Sequence, residues 1–99
     1  MSGERFRRDV ERWSERLGVR PKVVQIRPMT RKWASCSTAG RVSFSRHLLR
    51  RDRRFREVVI VHELLHLRVR NHGKLFRSLM NAHVPGWGRA LDQDDLSCR

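Results

Sequence analysis

The sequence predicts an α+β domain. Three observations carry that reading. An amphipathic stripe opens the chain, three short β-rich runs follow between residues 22 and 45, and the remainder is apolar over helical lengths. In "ERFRRDVERWSERLG" the residues Phe6, Val10, Trp13 and Leu17 fall on one face of a helix. Gly18 suits a left-handed cap and Pro21 prevents continuation. "KVVQIR" (22–27) is short and β-branched, which predicts a strand. "KWASCS" and "RVSFS" are two further strands, and the glycine in the intervening "TAG" fits a short hairpin loop. Val42 and Phe44 alternate with Ser43 and Ser45, as on a half-buried strand. "RHLLRRDRRFR" holds a short helical turn. "FREVVIVHELLHLRVR" (55–70) is long, apolar and free of Gly and Pro, so a helix is expected over its whole length. "KLFRSLMNAH" (74–83) repeats Phe76, Leu79 and Met80 at helical spacing, and Pro85 with Gly86 ends it. The tail after that is weakly patterned, and its Asp92, Asp94 and Asp95 form the one acidic cluster.

Ninety-nine residues are expected to make a single domain (1–99), small enough that a bound metal would support the fold as well as function. A hydrophobic share of 38% excludes a disordered chain. Cys36 and Cys98 form no CxxC and no disulfide framework, so a reduced compartment is expected. The opening "MSGERFRRDV" lacks the apolar region of a secretory signal, and no run approaches the ~18 residues of a membrane span. The expectation is a soluble, cytoplasmic monomer without membrane contact. The formal net charge of +13, from 23 basic residues of which three are lysine, points to polyanions.

The chemistry concentrates in "HELLH" (62–66). On a helix, positions i and i+4 share a face, so His62 and His66 can aim at one ion. Glu63 is one step round and can reach a water on that ion without ligating it. A catalytic zinc wants three protein ligands and one open position. His72 is the best third candidate. An unbroken helix would put it about 280° round from His62. The helix must therefore stop near Arg70, with Asn71 as a left-handed terminal residue and Gly73 relaxing the chain. Two imidazoles and a carboxylate buried merely as core would be costly, so one zinc ion held by His62, His66 and His72 is the favoured reading. A closed structural zinc is the rival, with Cys36 or Cys98 as fourth ligand. His47 lacks such spacing, and His83 could approach from the last helix.

The stretch "RKWASCSTAGRVSFSRHLL" followed by "VVIVHELLHLRVRNHGKLFRSLM" resembles the YgjP-like metallopeptidases, relatives of the WLM and SprT-like zincins. Trp33, Ser35, Cys36, Gly40, His62, Glu63, Leu64, His66, Leu67, Asn71, His72 and Phe76 stand at matching places, and the likeness covers about residues 23–83. Ala34 replaces a glycine, Gly73 replaces a serine-like cap, and the N-terminal region is reduced to one helix. The resemblance implies a minimal zincin-like domain with a small sheet over the HExxH helix. It also implies ligation by the three histidines, Glu63 as catalytic base, and a peptide or protein substrate.

In that mechanism Glu63 takes a proton from a water activated by zinc as it attacks a peptide carbonyl, then delivers it to the leaving amine. The chain has no tyrosine to assist the oxyanion. "RVSFS" is expected as an edge strand, so that Arg41, Val42, Ser43 and Phe44 could pair with an extended peptide. Trp33 is expected against the metal helix, and Cys36 as a packed, inert thiol. "RRDRRFR" (50–56) precedes the metal helix, where cations oppose the helix dipole. Arg50, Arg51, Arg53 and Arg54 are thus candidate phosphate contacts for sequence-independent nucleic-acid binding. The alternative function is a basic nucleic-acid-associated module whose zinc is structural or dormant. A third reading is an autoinhibited peptidase, in which the acidic tail Asp92, Asp94 and Asp95 folds over the basic cleft and Cys98 reaches the metal as a switch.

Overall fold

The computed structural model describes residues 1–92. Helix α1 spans Gly3–Leu17. Ser2 caps it by accepting from the Arg5 N–H at 3.2 Å. Gly18, at φ 67°, closes it in the left-handed region, and the Val19 N–H reaches back to the Ser14 carbonyl at 3.0 Å. The stripe Phe6, Val10, Trp13 and Leu17 is buried, as its spacing requires.

Strands β1 (Val23–Arg27), β2 (Ala34–Cys36) and β3 (Arg41–Ser45) form one sheet in the order β1-β3-β2. β2 and β3 are the expected antiparallel hairpin, whereas β1 runs parallel to β3. This corrects one expectation. β3 is the central strand, with both edges paired, and Val42, Ser43 and Phe44 are buried. Only Arg41 of the four residues assigned to substrate is exposed, so an extended peptide cannot add to this strand. Nor is the strand half-buried: Ser43 and Ser45 are as buried as Val42 and Phe44, because a central strand in a small domain is covered on both faces, and strand order is set by which strands find each other across the sheet.

A 3-10 turn (Arg46–Arg50) leads into helix α2, Arg53–Leu65. Asp52 caps α2, its carboxylate accepting from the Phe55 N–H at 3.3 Å. α2 touches α1, β2, α3 and α4, and every residue from Val58 to Leu65 is buried. A helical segment buried on all sides belongs at the centre of a small domain, and α2 from Val58 onward is there. Phe6 of α1 meets Phe44 of β3 edge to face, ring centroids 5.1 Å apart. Trp33 meets Phe55 of α2 in the same way at 5.1 Å. Helix α3 occupies Lys74–His83, the predicted span. Helix α4 (Trp87–Asp92) was not anticipated: after the Pro85–Gly86 break the chain resumes a helix, and Trp87 and Ala90 pack on the core. No described helix is long and apolar enough to cross a membrane.

Candidate metal centre

α2 delivers His62 and His66 from one face near its C-terminal end, with ring centroids 4.9 Å apart. The helix stops sooner than its composition predicts. Its last residue is Leu65, and His66 is the cap at φ −65°, ψ −13°. The N–H groups of His66, Leu67 and Arg68 then bond three residues back, to Glu63, Leu64 and Leu65 carbonyls at 3.1, 3.0 and 2.9 Å. The α-helix thus tightens into a 3-10 type turn rather than ending on a left-handed Asn71 beyond Arg70. Asn71 acts through its side chain, accepting from the Gly73 N–H at 3.2 Å and setting the turn into α3.

The outcome is the convergence that the spacing demanded. His72 Nε2 lies 3.0 Å from His66 Nε2, and the ring centroids of His62 and His72 are 5.2 Å apart. One ligand nitrogen from each of His62, His66 and His72 falls within 4.8 Å of the others, and this is the one such metal-competent group among the described residues. His62 and His66 are buried while His72 is exposed, so the group opens to solvent on the His72 side.

The ring orientations are fixed locally. His66 Nδ1 faces the Val69 carbonyl at 3.1 Å, and a carbonyl can only accept, so the proton sits on Nδ1 and Nε2 keeps its lone pair. His62 Nδ1 faces Glu63 Oε2 at 3.1 Å, which orients the second ring in the same sense. Burial, and then the neighbouring His62, lower the His66 pKa from 6.5 to about 4, so His66 is neutral at pH 7, as a ligand must be. Glu63 is fully buried, and its Oε1 has no hydrogen-bond partner. An orphaned carboxylate oxygen beside three imidazoles fits a site completed by a cation and solvent.

Phe76 of α3 closes the floor. It stacks on His66 at 4.8 Å and 19°, and meets His62 and His72 edge to face at 5.2 and 4.9 Å. Its place at helical spacing identified it as core; its contact with all three imidazoles was not foreseen. Cys36 stands outside the group. It is buried, with its Sγ 3.7 Å from Arg70 Nη1, and burial followed by the charge of Glu63 pushes its thiol pKa up. It is the packed thiol expected from the sequence. His83 lies against Trp13 of α1 at 6.4 Å, away from the metal group, and His47 is exposed on the 3-10 turn. Cys98, Asp94 and Asp95 lie outside the described residues.

The arginine cluster proves mixed in role. The Arg51 guanidinium packs over the Phe55 ring at 3.8 Å and the Trp33 ring at 5.1 Å. Arg53 approaches Glu57 at 3.8 Å. Arg50 and Arg54 are exposed. A cavity of about 870 Å³ between α1 and β1 is lined by Arg7, Val10, Val19 and Val24 among others and includes none of the three histidines.

Fold and site together define a minimal zincin-like α+β domain carrying a three-histidine metal site. The chain belongs to the YgjP-like family: the YgjP-like metallopeptidase domain matches residues 2–93. It is similar in structure to the metallopeptidase zymogen of Pyrococcus abyssi abylysin, at TM-score 0.77 and 21% identity over 95% of this chain and 99% of the other. It is also similar to the metallopeptidase zymogen of Methanocaldococcus jannaschii jannalysin, at TM-score 0.74 and 20% identity over 92% and 97%. At such identities the two likenesses speak to the fold. No curated protein matches the chain in sequence.

Proposed function

We propose that this chain is a single-domain, zinc-dependent peptidase of the HExxH type, with His62, His66 and His72 as ligands and Glu63 as general base. The observation that carries the reading is the meeting of three imidazole nitrogens within 4.8 Å, beside a buried glutamate with one unpartnered oxygen. Three nitrogen donors with a side open to solvent suit a catalytic rather than a closed structural zinc. Bound there, zinc supplies Lewis acidity, making water acidic enough to act near neutral pH and polarising the scissile carbonyl. The chain's own residues do the rest. Glu63 Oε2 is held by His62, which leaves Oε1 to accept a proton from the attacking water and return it to the leaving amine. His66 keeps its lone pair on Nε2 through the bond to Val69. Phe76 excludes water from the inner side of the rings. Substrate enters where His72 is exposed.

A Glu63→Gln variant tests this directly. It should retain one zinc per chain by elemental analysis and lose cleavage of an unstructured peptide by at least about a hundredfold. Retention of full cleavage by that variant would sink the assignment of Glu63.

One observation favours a second reading, that the chain is a nucleic-acid-associated module with a structural zinc. Residues 16–56 hold thirteen Lys and Arg against a single acid, Asp52. A structural zinc would need a fourth ligand, and no Cys, Asp or Glu joins the three histidines among the described residues. Binding of a single-stranded oligonucleotide, steeply weakened by salt, would support contact with nucleic acid. Cleavage that is abolished by Glu63→Gln favours the peptidase whether or not an oligonucleotide binds.

A further inference from the structure

Residues 66–72 carry two of the three metal-site histidines, yet "HLRVRNH" contains no glycine and no proline to set its course. Its shape comes from elsewhere. The Arg70 guanidinium forks between two carbonyls: Nη1 donates to the His66 carbonyl at 3.3 Å and Nη2 to the Cys36 carbonyl at 3.2 Å. Neither acceptor has an obvious ladder partner. His66 is the cap of α2, so its carbonyl belongs to the set left over at a helix end. On β2 the Trp33 carbonyl and the Ser37 N–H are spent on β3, and alternation turns the Cys36 carbonyl to the outer edge of the sheet. Arg70 therefore ties the end of the metal helix to the outer edge of β2. It sits two residues before the third ligand and four after the second. Arg68 fixes the same turn to α1, donating to the Leu17 carbonyl at 3.1 Å.

We propose that Arg70 is a positioning residue for the metal site: by bridging the His66 and Cys36 carbonyls it holds the 66–72 turn in the course that brings His72 to His66. This rests on the metal-binding part of the proposed function. The planar two-pronged donor is the feature that matters, because a single ammonium cannot bond two carbonyls with the same fixed geometry.

The test compares the full chain with Arg70→Ala, Arg70→Lys and, as a charge-matched control on the exposed face of α1, Arg8→Ala. Zinc affinity is measured by competition with a chromophoric chelator. The cobalt-substituted proteins are compared by their visible absorption, and amide exchange over residues 66–72 is followed in the metal-free proteins. Arg70→Ala should bind zinc about tenfold or more weakly, alter the cobalt bands and speed exchange in the turn, since residues supporting a ligand set typically act on that scale. Arg70→Lys should recover part of the affinity, and Arg8→Ala should match the parent. Parent-like zinc affinity and cobalt bands in Arg70→Ala overturn the proposal. So does a loss of affinity matched by an equal loss in Arg8→Ala. If Arg70→Ala does not fold, Arg70→Lys carries the test alone, and an unchanged cobalt spectrum together with unchanged exchange in that variant overturns it. A parent chain that binds no zinc overturns the metal site itself, a different outcome from a parent that binds and an Arg70 variant that binds equally.

Discussion

The metal-free protein should lose stability in acid through His66, in a defined window. Burial beside Phe76 and the proximity of His62 hold the folded imidazole neutral down to about pH 4, against 6.5 for a free one. Between those values the unfolded chain binds a proton that the folded chain refuses. Stability from this group is therefore complete above pH 6.5 and is lost as pH falls towards 4. A gap of 6.5 minus about 4 corresponds to about 3 kcal/mol at 1.36 kcal/mol per unit. Against a typical total of roughly 5–15 kcal/mol for a domain, that is a substantial fraction. Urea denaturation of chelator-treated protein between pH 7.5 and 4, followed by circular dichroism, measures it. The midpoint should fall steadily below pH 6.5, and a His66→Asn variant should show a shallower fall. A parent midpoint that is flat or rises through this window, or a variant profile parallel to the parent, would refute the reasoning.

Three further outcomes are expected. Phe76→Leu removes the ring stacked on His66, at a cost of about 1–2 kcal/mol including lost packing, and calorimetry with and without zinc should show a lower Tm and weaker stabilisation by the metal. Asp52→Ala removes the α2 cap for about 1 kcal/mol, a Tm drop of roughly 4–8 °C. The same variant deletes the single acid among residues 16–56, so any oligonucleotide binding measured by anisotropy should strengthen. Glu63→Met replaces a fully buried carboxylate whose Oε1 lacks a partner, and in differential scanning the metal-free variant should melt higher by about 1–3 kcal/mol in stability while cleavage disappears.

Where a feature depended on neighbours along the chain, the sequence was legible. The stripe of α1 and its Gly18 cap, the β2–β3 hairpin, the bounds of α3, and the pairing of His62 with His66 all follow from local spacing. The meeting of His72 with them could be demanded but not located. "HLRVR" is a sound helical sequence, and the partners its turn meets are distant: Arg68 bonds Leu17, 51 positions away, and Arg70 bonds Cys36, 34 positions away. No periodicity contains that information. The order of the sheet is hidden for the same reason, because the chain leaving β1 skips the central position to place β2 on the far edge, and β3 then returns between them, parallel to β1. Asp52, three residues before Phe55, carries a cap signal of its own, but the four arginines around it carry an equally strong charge pattern that suits phosphates.

The arginines bear on how so short a chain holds a metal site at all. A small fold has many element ends for its length, and each end strands carbonyls that a small core cannot shield. Arginine is suited to that problem, because its guanidinium reaches several acceptors while its stem lies on apolar surface. Arg7 donates to the Val24 carbonyl of edge strand β1. Arg56 donates to the Arg51 carbonyl ahead of α2. Arg68 and Arg70 take the ends of α1, α2 and β2, and Arg51 covers the Phe55 and Trp33 rings. A net charge of +13 therefore does not by itself measure affinity for a polyanion, since part of it is joinery. α2 sets the opposite problem. From Val58 onward it is buried on every side, yet it places His62, Glu63 and His66 where apolar side chains would be more stable. A local rule broken at three positions on one helix marks the place where stability has yielded to chemistry. A tightly held cation offsets that loss, by roughly 4 kcal/mol at a thousand times its Kd, so the fold should depend on its metal more steeply than a larger domain with the same site.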